Sequence, residues 1–228
     1  MTYHNPFSKL TIFERFLWIA SVIIVVVTFI FSGGLDMLTL ISSLVGVTAL
    51  IFVAKGDVWG QILTVLFSLM YAVISLKFRY FGEMITYLGM TAPIAVLSVI
   101  AWLRHPYEGT TEVKVHHLSR KQGVWMVALT VTVTFTFYFI LSALNTPNLI
   151  ISTISIATSF LASYLMLFRN TGYALAYAAN DIVLIVLWVF ATITDFSYLP
   201  MIMCFFIFLL NDIYGFVNWM RMKKSQAK

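Results

Sequence analysis

Eight apolar runs of membrane-spanning length dominate this sequence. Each holds about 20 residues, the length that an α-helix needs to cross the hydrocarbon core of a bilayer. Because backbone polar groups must be satisfied internally in hydrocarbon, such runs are helical. The sequence therefore predicts an all-α integral membrane protein with eight transmembrane helices, at about 14–32, 35–54, 57–76, 80–103, 123–144, 148–168, 171–194 and 197–220.

The composition also indicates that the bilayer is the solvent of this chain. Hydrophobic residues make up 61% and charged residues 10% of the sequence, far from the values of soluble domains. The net charge of +5 does not indicate nucleic-acid binding, because the basic residues lie in loops and tails. All but Lys77 and Arg79 fall on one side of the predicted membrane. Under the positive-inside rule, this bias predicts that both the N- and C-termini are cytoplasmic.

The sequence lacks the residue patterns that common enzymes and metal sites need. Cys204 is the single cysteine, so neither an intrachain disulfide nor a cysteine cluster can form. The sequence has no GxxxxGK[ST] phosphate loop and no HExxH motif. His116 and His117 are adjacent in a polar loop, where a lone pair is weak evidence for a metal. We expect no catalytic residue, no metal and no cofactor.

Polar residues inside the apolar runs are the candidate functional residues. An ionised carboxylate in hydrocarbon costs at least about 2.5 kcal/mol, so such residues usually face a polar cavity. Asn180 and Asp181 stand near the centre of the seventh run. Helical spacing places this carboxylate on one face with several rings. The members of that face are Tyr173, Tyr177, Asp181, Leu184 and Trp188.

The third run carries a second polar stripe, which begins at Gln61. Its members recur at steps of three and four residues: Gln61, Thr64, Ser68, Tyr71 and Ser75. Helix packing accounts for the hydroxyl groups, which commonly lie at interhelical contacts. Gln61 has more donors and acceptors than packing requires, so a ligand contact is an equal alternative for it.

The last and fourth runs add further candidates. Asn211 and Asp212 lie deep in the last run, and we expect a functional role for at least one of them. Glu83 lies near the outer end of the fourth run. It either pairs with Arg79 or Lys77 or contacts a substrate.

Two parts of the chain resemble each other. Residues 101–104 match 218–221, and Lys55 is set against Arg169. This predicts two parallel three-helix repeats joined by a linker helix, with one extra N-terminal helix. Chance matches in apolar sequence are the alternative. The expected units are an N-terminal helix 1–33, a first repeat 35–104, a cytoplasmic loop 105–122, a linker helix 123–144, a second repeat 148–222 and a cytoplasmic tail 223–228.

The stretches YAANDIVLIVLW, FLLNDIYGFVNWMRM and RYFGEM resemble the PnuC-type vitamin transporters, whose best-known members carry nicotinamide riboside. The likeness extends from about Ile41 to Lys223. It implies a fold related to that of the SWEET sugar transporters and a homotrimer in the bacterial inner membrane. It also implies facilitated diffusion, with a cytoplasmic kinase trapping the vitamin.

The motif WxxWxxx[ND] of this family, placed by its final residue, falls on Ala174, Tyr177 and Asp181. Both tryptophans are replaced, so thiamine or a deoxynucleoside is an alternative substrate. The resemblance implies that Asp181 contacts the ribose or amide of the ligand and that Tyr177 lies against its ring. Helical faces add the other candidate substrate-binding residues, which are Asn180, Tyr173, Trp188, Trp59, Gln61, Asn211 and Asp212.

Other functional classes stay open. A site with tyrosine, tryptophan and amide side chains suits a flat ring that carries hydroxyl groups. No basic residue lies at mid-membrane depth, which argues against a phosphorylated substrate. An ion-coupled transporter would use Asp181 or Asp212 as its titrating group. A membrane-embedded enzyme acting on lipids would need a proton-transfer pair near an interface, for which His116 and His117 are the best available residues.

Overall fold

The protein is built of membrane-length helices. The computed structural model describes residues 5–31, 37–77, 80–194, 196 and 199–227. Within these residues, eight helices are long and apolar enough to cross a membrane, so the predicted fold class is confirmed. A 3₁₀ turn, Pro6–Lys9, precedes the first helix. The helices are α1 Ile12–Phe31, α2 Met37–Ala54, α3 Val58–Lys77, α4 Phe81–Arg104, α5 Arg120–Ala143, α6 Leu149–Leu167, α7 Tyr173–Thr194 and α8 Leu199–Gln226.

The α2–α3 and α6–α7 connections form the same tight turn. In the first turn, the N–H of Gly56 donates to the carbonyl of Val53 at 2.9 Å, and that of Asp57 donates to Phe52 at 3.0 Å. The equivalent bonds of the second turn run from Arg169 to Met166 and from Asn170 to Leu165, at 2.9 Å each. Each donor and acceptor of the second turn lies 113 positions after its counterpart in the first turn. The backbone conformation is therefore repeated in the two turns.

The shared turn corrects the register of the predicted repeat by one residue. The sequence comparison set Lys55 against Arg169, whereas the hydrogen bonds pair Gly56 with Arg169. Both of these residues have positive φ, 70° and 54°, a conformation that glycine adopts at least cost. The sequence comparison paired Lys55 with Arg169 because both side chains are basic. Gly56 and Arg169 share a backbone conformation but not a side-chain type, so their equivalence could not be seen in the sequence.

Six helices form a closed ring. Around it the order is α2, α3, α4, α6, α7 and α8, and α8 packs against α2 to close the ring. On the outside, α1 packs against α2 and α8, while α5 packs along α6. We call the end of the ring that carries Lys55, Arg169 and the segment 105–119 the basic end. The ring places α2, α3 and α4 opposite α6, α7 and α8.

Two tryptophans join the halves of the ring at the basic end. Trp102 on α4 donates from Nε1 to the carbonyl of Met166 on α6 at 3.4 Å. Trp219 on α8 donates in the same way to the carbonyl of Val53 on α2 at 2.9 Å. The two indole rings meet with their centroids 5.5 Å apart. Each half therefore donates one hydrogen bond to the first helix of the other half.

The segment 105–119 crosses the basic end and contacts both turns. The N–H of Val113 donates to the carbonyl of Gly56 at 2.9 Å, and that of His116 donates to Arg169 at 3.0 Å. Gln226 at the end of α8 donates to the carbonyl of Val113 at 3.1 Å. Val113 is 2% exposed, so this segment is more closely packed than its polar sequence indicates. Segment 105–119 therefore donates a hydrogen bond to the equivalent carbonyl of each turn, that of Gly56 and that of Arg169.

Close packing of α3 on α2 depends on Gly60, where a methyl group would overlap the backbone nitrogen of Val53. We expect Gly60→Ala to destabilise the protein by about 1–3 kcal/mol, as overpacking does in a well-packed core. The matched control is Gly123→Ala on α5, where an added Cβ meets nothing within 4 Å. The melting temperature measured in detergent should fall for Gly60→Ala and not for Gly123→Ala. Equal melting temperatures for the two variants would contradict this packing.

Candidate functional site

A narrow cavity with a mostly apolar wall and a few polar side chains lies inside the ring. It leaves about 60 Å³ for the centres of water molecules, which is room for several waters. Every helix of the ring contributes to its wall, so the cavity lies between the two halves of the chain. One residue from each helix in ring order is Gly46, Gln61, Thr91, Ser159, Asp181 and Asp212.

The α7 wall carries two predicted site residues that α6 orients. Asn180 is 2% exposed, and its Oδ1 accepts hydrogen bonds from Thr158 at 2.8 Å and Ser159 at 2.9 Å. This arrangement directs the donors of the amide away from α6. The hydroxyl of Tyr177 lies 3.1 Å from that of Ser163. Both Tyr177 and Asn180 line the cavity, which agrees with their prediction from the helical face.

Two carboxyl groups meet in the same wall. Asp181 on α7 and Asp212 on α8 are both buried and both line the cavity. Their carboxyl groups are close enough to interact across the packing of α7 on α8. Among the described residues that line the cavity, none is a lysine, arginine or histidine. Because like charges this close repel strongly in a medium of low dielectric constant, the pair needs a proton or a cationic partner.

Gln61 supplies an unused amide from the opposite wall. It lies on α3, is 1% exposed and lines the cavity. Its Nε2 has no hydrogen-bond partner among the described residues. A buried donor without a partner carries a penalty of roughly 1–3 kcal/mol, which a ligand acceptor would remove. Thr64, one turn further along α3, bonds the carbonyl of Gly60 and also lines the cavity.

An irregular part of α4 completes the wall. Residues Tyr87–Thr91 form a π-helical turn, in which the N–H of Ala92 donates to the carbonyl of Tyr87. Pro93 follows directly and lacks the N–H that a regular helix would use. Such π-bulges often occur at functional sites, and here the turn brings Tyr87 and Thr91 to the cavity. Sequence reasoning missed Thr91, although the proline two residues later was an available signal.

Aromatic side chains stand between the cavity and both ends of the ring. Towards the basic end, the rings of Tyr173 and Trp219 meet at 4.8 Å, and both side chains are fully buried. Towards the opposite end, Nε1 of Trp188 donates to the hydroxyl of Tyr71 at 3.1 Å. Tyr71 packs in turn against Tyr87, with their centroids 4.3 Å apart.

Four predicted site residues lie outside the cavity wall. Tyr173 and Trp188 belong to the aromatic layers at its two ends. Trp59 packs near Leu10 and Phe52, at the side of the ring that α1 covers. Asn211 faces α1 as well, where its Nδ2 donates to the hydroxyl of Ser21 at 3.3 Å and to the carbonyl of Ile207 at 2.9 Å.

The remaining polar candidates take up other positions. Glu83 is 1% exposed and accepts a hydrogen bond from Ser155 at 3.0 Å. Its predicted pairing with Arg79 lies outside the described residues. His116 contacts Gln122 at 3.2 Å. The described residues contain no group of three or more histidine, cysteine, aspartate or glutamate side chains that could hold a metal.

Comparison with known families identifies what the ring is. A family model described as nicotinamide mononucleotide transporter matches residues 36–221. The chain belongs to this family. The match takes in five ring helices, the linker α5 and most of α8, and it begins after α1. The chain is therefore a multi-pass membrane transporter of the PnuC family.

Two relatives and one solved structure carry the family's name. A nicotinamide riboside transporter PnuC of Neisseria mucosa is 26% identical over 206 residues, which cover 88% of this chain and 78% of the relative. A nicotinamide riboside transporter PnuC of Haemophilus influenzae is 24% identical over 189 residues, which cover 82% of this chain and 80% of the relative. The crystal structure of the vitamin B3 transporter PnuC superposes with a TM-score of 0.84 at 25% identity, covering 96% of this chain and 94% of that one. All three are named as transporters, in agreement with the prediction that this chain is not an enzyme.

The family motif is only partly present at the cavity. Of its three positions, Tyr177 and Asp181 line the wall, whereas Ala174 is fully buried in the packing between helices. The departures from the motif thus remove one ring from α7 and leave the polar end in place.

Two buried asparagines in this region are expected to stabilise different helices. Asn180→Ala removes the acceptor of Thr158 and Ser159 on α6, while Asn211→Ala removes the donor to Ser21 on α1. Each bond contributes about 0.6 kcal/mol in a membrane. Hydrogen–deuterium exchange should therefore rise in α6 for Asn180→Ala and in α1 for Asn211→Ala. The same exchange pattern in both variants would contradict the separate roles of the two side chains.

Proposed function

We propose that this chain carries nicotinamide riboside across the membrane through the cavity between its two halves. The observation that supports this best is the character of the cavity wall. It combines aromatic rings, amides and carboxyl groups, and none of the described residues that line it is a lysine, arginine or histidine. The mononucleotide differs from the riboside by a phosphate, which such a wall does not favour because phosphate binding in proteins relies on arginine or lysine.

The wall offers a partner for each part of this ligand. The ring of Tyr177 would stack on the pyridine ring, and Tyr87 would enclose it from α4. The free amide of Gln61 and the donors of Asn180 would bond the carboxamide and the ribose hydroxyls. Asp181 and Asp212 would face the positive charge of the pyridine nitrogen. Thr91 adds a hydroxyl that the sequence did not lead us to expect at the site.

We assign Tyr173 and Trp188 to closure of the cavity rather than to direct binding. The 60 Å³ available is small beside the roughly 300–1,000 Å³ of pockets that hold drug-sized ligands. A ligand therefore enters only when one aromatic layer moves aside. Opening the layers in alternation would move the riboside across the membrane by facilitated diffusion, and a cytoplasmic kinase would then trap it by phosphorylation.

We further propose a homotrimer in a bacterial inner membrane, surrounded by lipid, with the basic end and both termini in the cytoplasm. The positive-inside bias of the sequence supports this orientation. The ring with its outer linker supports the predicted division into repeats and the architectural relation to SWEET transporters. The outer face of α5 is apolar and exposed, including Trp125, Val131 and Phe135, so it suits contact with lipid or another protomer.

Calorimetric titration of the detergent-solubilised protein tests the substrate. We expect saturable binding of nicotinamide riboside and none of its mononucleotide. Gln61→Ala should weaken riboside binding about tenfold, equivalent to the loss of roughly one hydrogen bond. Trp59→Phe, which lies outside the cavity, is the control and should bind like the parent. If only thiamine or a deoxynucleoside binds, the proposed site stands but nicotinamide riboside is not its substrate.

Uptake into liposomes tests the mode of transport. Facilitated diffusion predicts that labelled riboside equilibrates across the membrane with no nucleotide and no imposed ion gradient. Uptake that requires a proton or sodium gradient would contradict it in favour of an ion-coupled transporter. The enzyme alternative has little support, because His116 makes its described contacts to protein groups.

A further inference from the structure

The two carboxyl groups of the cavity lack the partner that two negative charges require. Oδ2 of Asp181 is buried and has no hydrogen-bond donor among the described residues. Its neighbour Asp212 is a carboxyl group as well. Two ionised carboxylates in contact can only repel, whereas one proton held between them gives a hydrogen bond and halves the charge. In the empty cavity, a shared proton is the arrangement that chemistry favours.

The groups that surround this pair do not supply a positive charge. The titratable side chains that interact electrostatically with the pair are the phenol of Tyr87 on α4, those of Tyr173 and Tyr177 on α7, and the thiol of Cys204 on α8. The described residues that α2, α3 and α6 contribute to the cavity wall carry no titratable side chain. Phenols and thiols are neutral near pH 7. The charge of the pair is therefore balanced only by a proton or by what binds in the cavity.

A second observation indicates that a ligand belongs beside the pair. Across the cavity, Nε2 of Gln61 is 1% exposed and has no partner among the described residues. An unused donor and an unused acceptor thus lie in the walls of one cavity. Since buried polar groups in proteins are nearly always hydrogen-bonded, both groups favour a ligand that offers them a complementary partner.

We propose that Asp181 and Asp212 share one proton in the empty cavity and release it to water when a positively charged heterocycle binds, so that the site selects cationic rings over neutral rings of the same shape. This rests on the proposed function, and it names the substrate class by its charge. The O–H bond of the pair breaks, the proton leaves to solvent and the cation replaces it; when the cation leaves, the pair takes a proton back from water, so the cycle needs no imposed ion gradient. The pair with its proton or with the cation and no proton has the same net charge of about −1, so binding adds no charge to the low-dielectric interior.

Calorimetry with a charge-matched pair of ligands tests the proposal on the unmodified protein. Nicotinamide riboside has a cationic pyridinium ring, and its dihydro form has a neutral ring with the same ribose and carboxamide. Titrations at one pH in buffers of different ionisation enthalpy give the number of protons released. We expect about one proton per bound riboside, an affinity that rises about tenfold per pH unit while the pair is protonated, and weaker, pH-independent binding of the dihydro form without proton release.

Variants then assign the proton to the pair. Asp181→Asn and Asp212→Asn should each abolish proton release and reduce the preference for the cationic ring, while binding of the dihydro form shows that the cavity is still folded. Glu83→Gln is the matched control. It changes a buried carboxyl group that bonds Ser155 outside the cavity wall, and it should keep both proton release and preference.

The outcomes separate this proposal from the proposed function. Riboside binding without proton release, or equal affinity for both ring forms, overturns the shared proton and leaves the transporter function intact. Proton release that survives in both Asp181→Asn and Asp212→Asn also overturns it. If neither form of the riboside binds to the unmodified protein, the proposed substrate fails and this inference fails with it.

Discussion

The absence of water from the bilayer core is the constraint on which this structure depends. Hydrocarbon offers no hydrogen bonds, so every polar group at that depth must find a protein partner or face a cavity. At the basic end, where helices terminate, the two tight turns, the reciprocal bonds of Trp102 and Trp219 and the segment 105–119 satisfy backbone groups. Within the ring, two buried polar groups that lack a partner among the described residues, on Gln61 and Asp181, belong to the wall of one cavity.

The chemistry of the cavity follows from what its wall contains. Amides orient a ligand, and tyrosine rings provide area for a flat one. We propose that the acidic pair gives the cavity a preference for positive charge, because Asp181 and Asp212 both line it and none of the described wall residues is cationic. The aromatic side chains around Tyr173 and Trp188 lie towards the two ends of the ring, and we propose that they close the site. Binding and closure are therefore assigned to different side chains of the same helix.

The sequence was sufficient for the eight helices, because apolar length alone specifies a span in a bilayer. It also pointed to Tyr177, Asn180, Asp181, Gln61 and Asp212, which all line the cavity. Trp59 and Asn211 satisfy the same periodicity but face α1. A helical pattern tells which residues share a face and not which neighbour that face meets. Thr91 depends on a π-turn, a backbone irregularity that periodicity does not reveal.

An experimental structure of the protein bound to nicotinamide riboside would test the central claim most directly. The account predicts that the ligand lies inside the ring, with its pyridine ring near Tyr177 and within contact of Gln61 and the Asp181–Asp212 pair. It also predicts that one of the two aromatic layers is displaced relative to the unliganded form. Ligand density outside the ring, such as in the cleft beside Glu14 and Tyr214 that α1 and α8 form, would contradict the account.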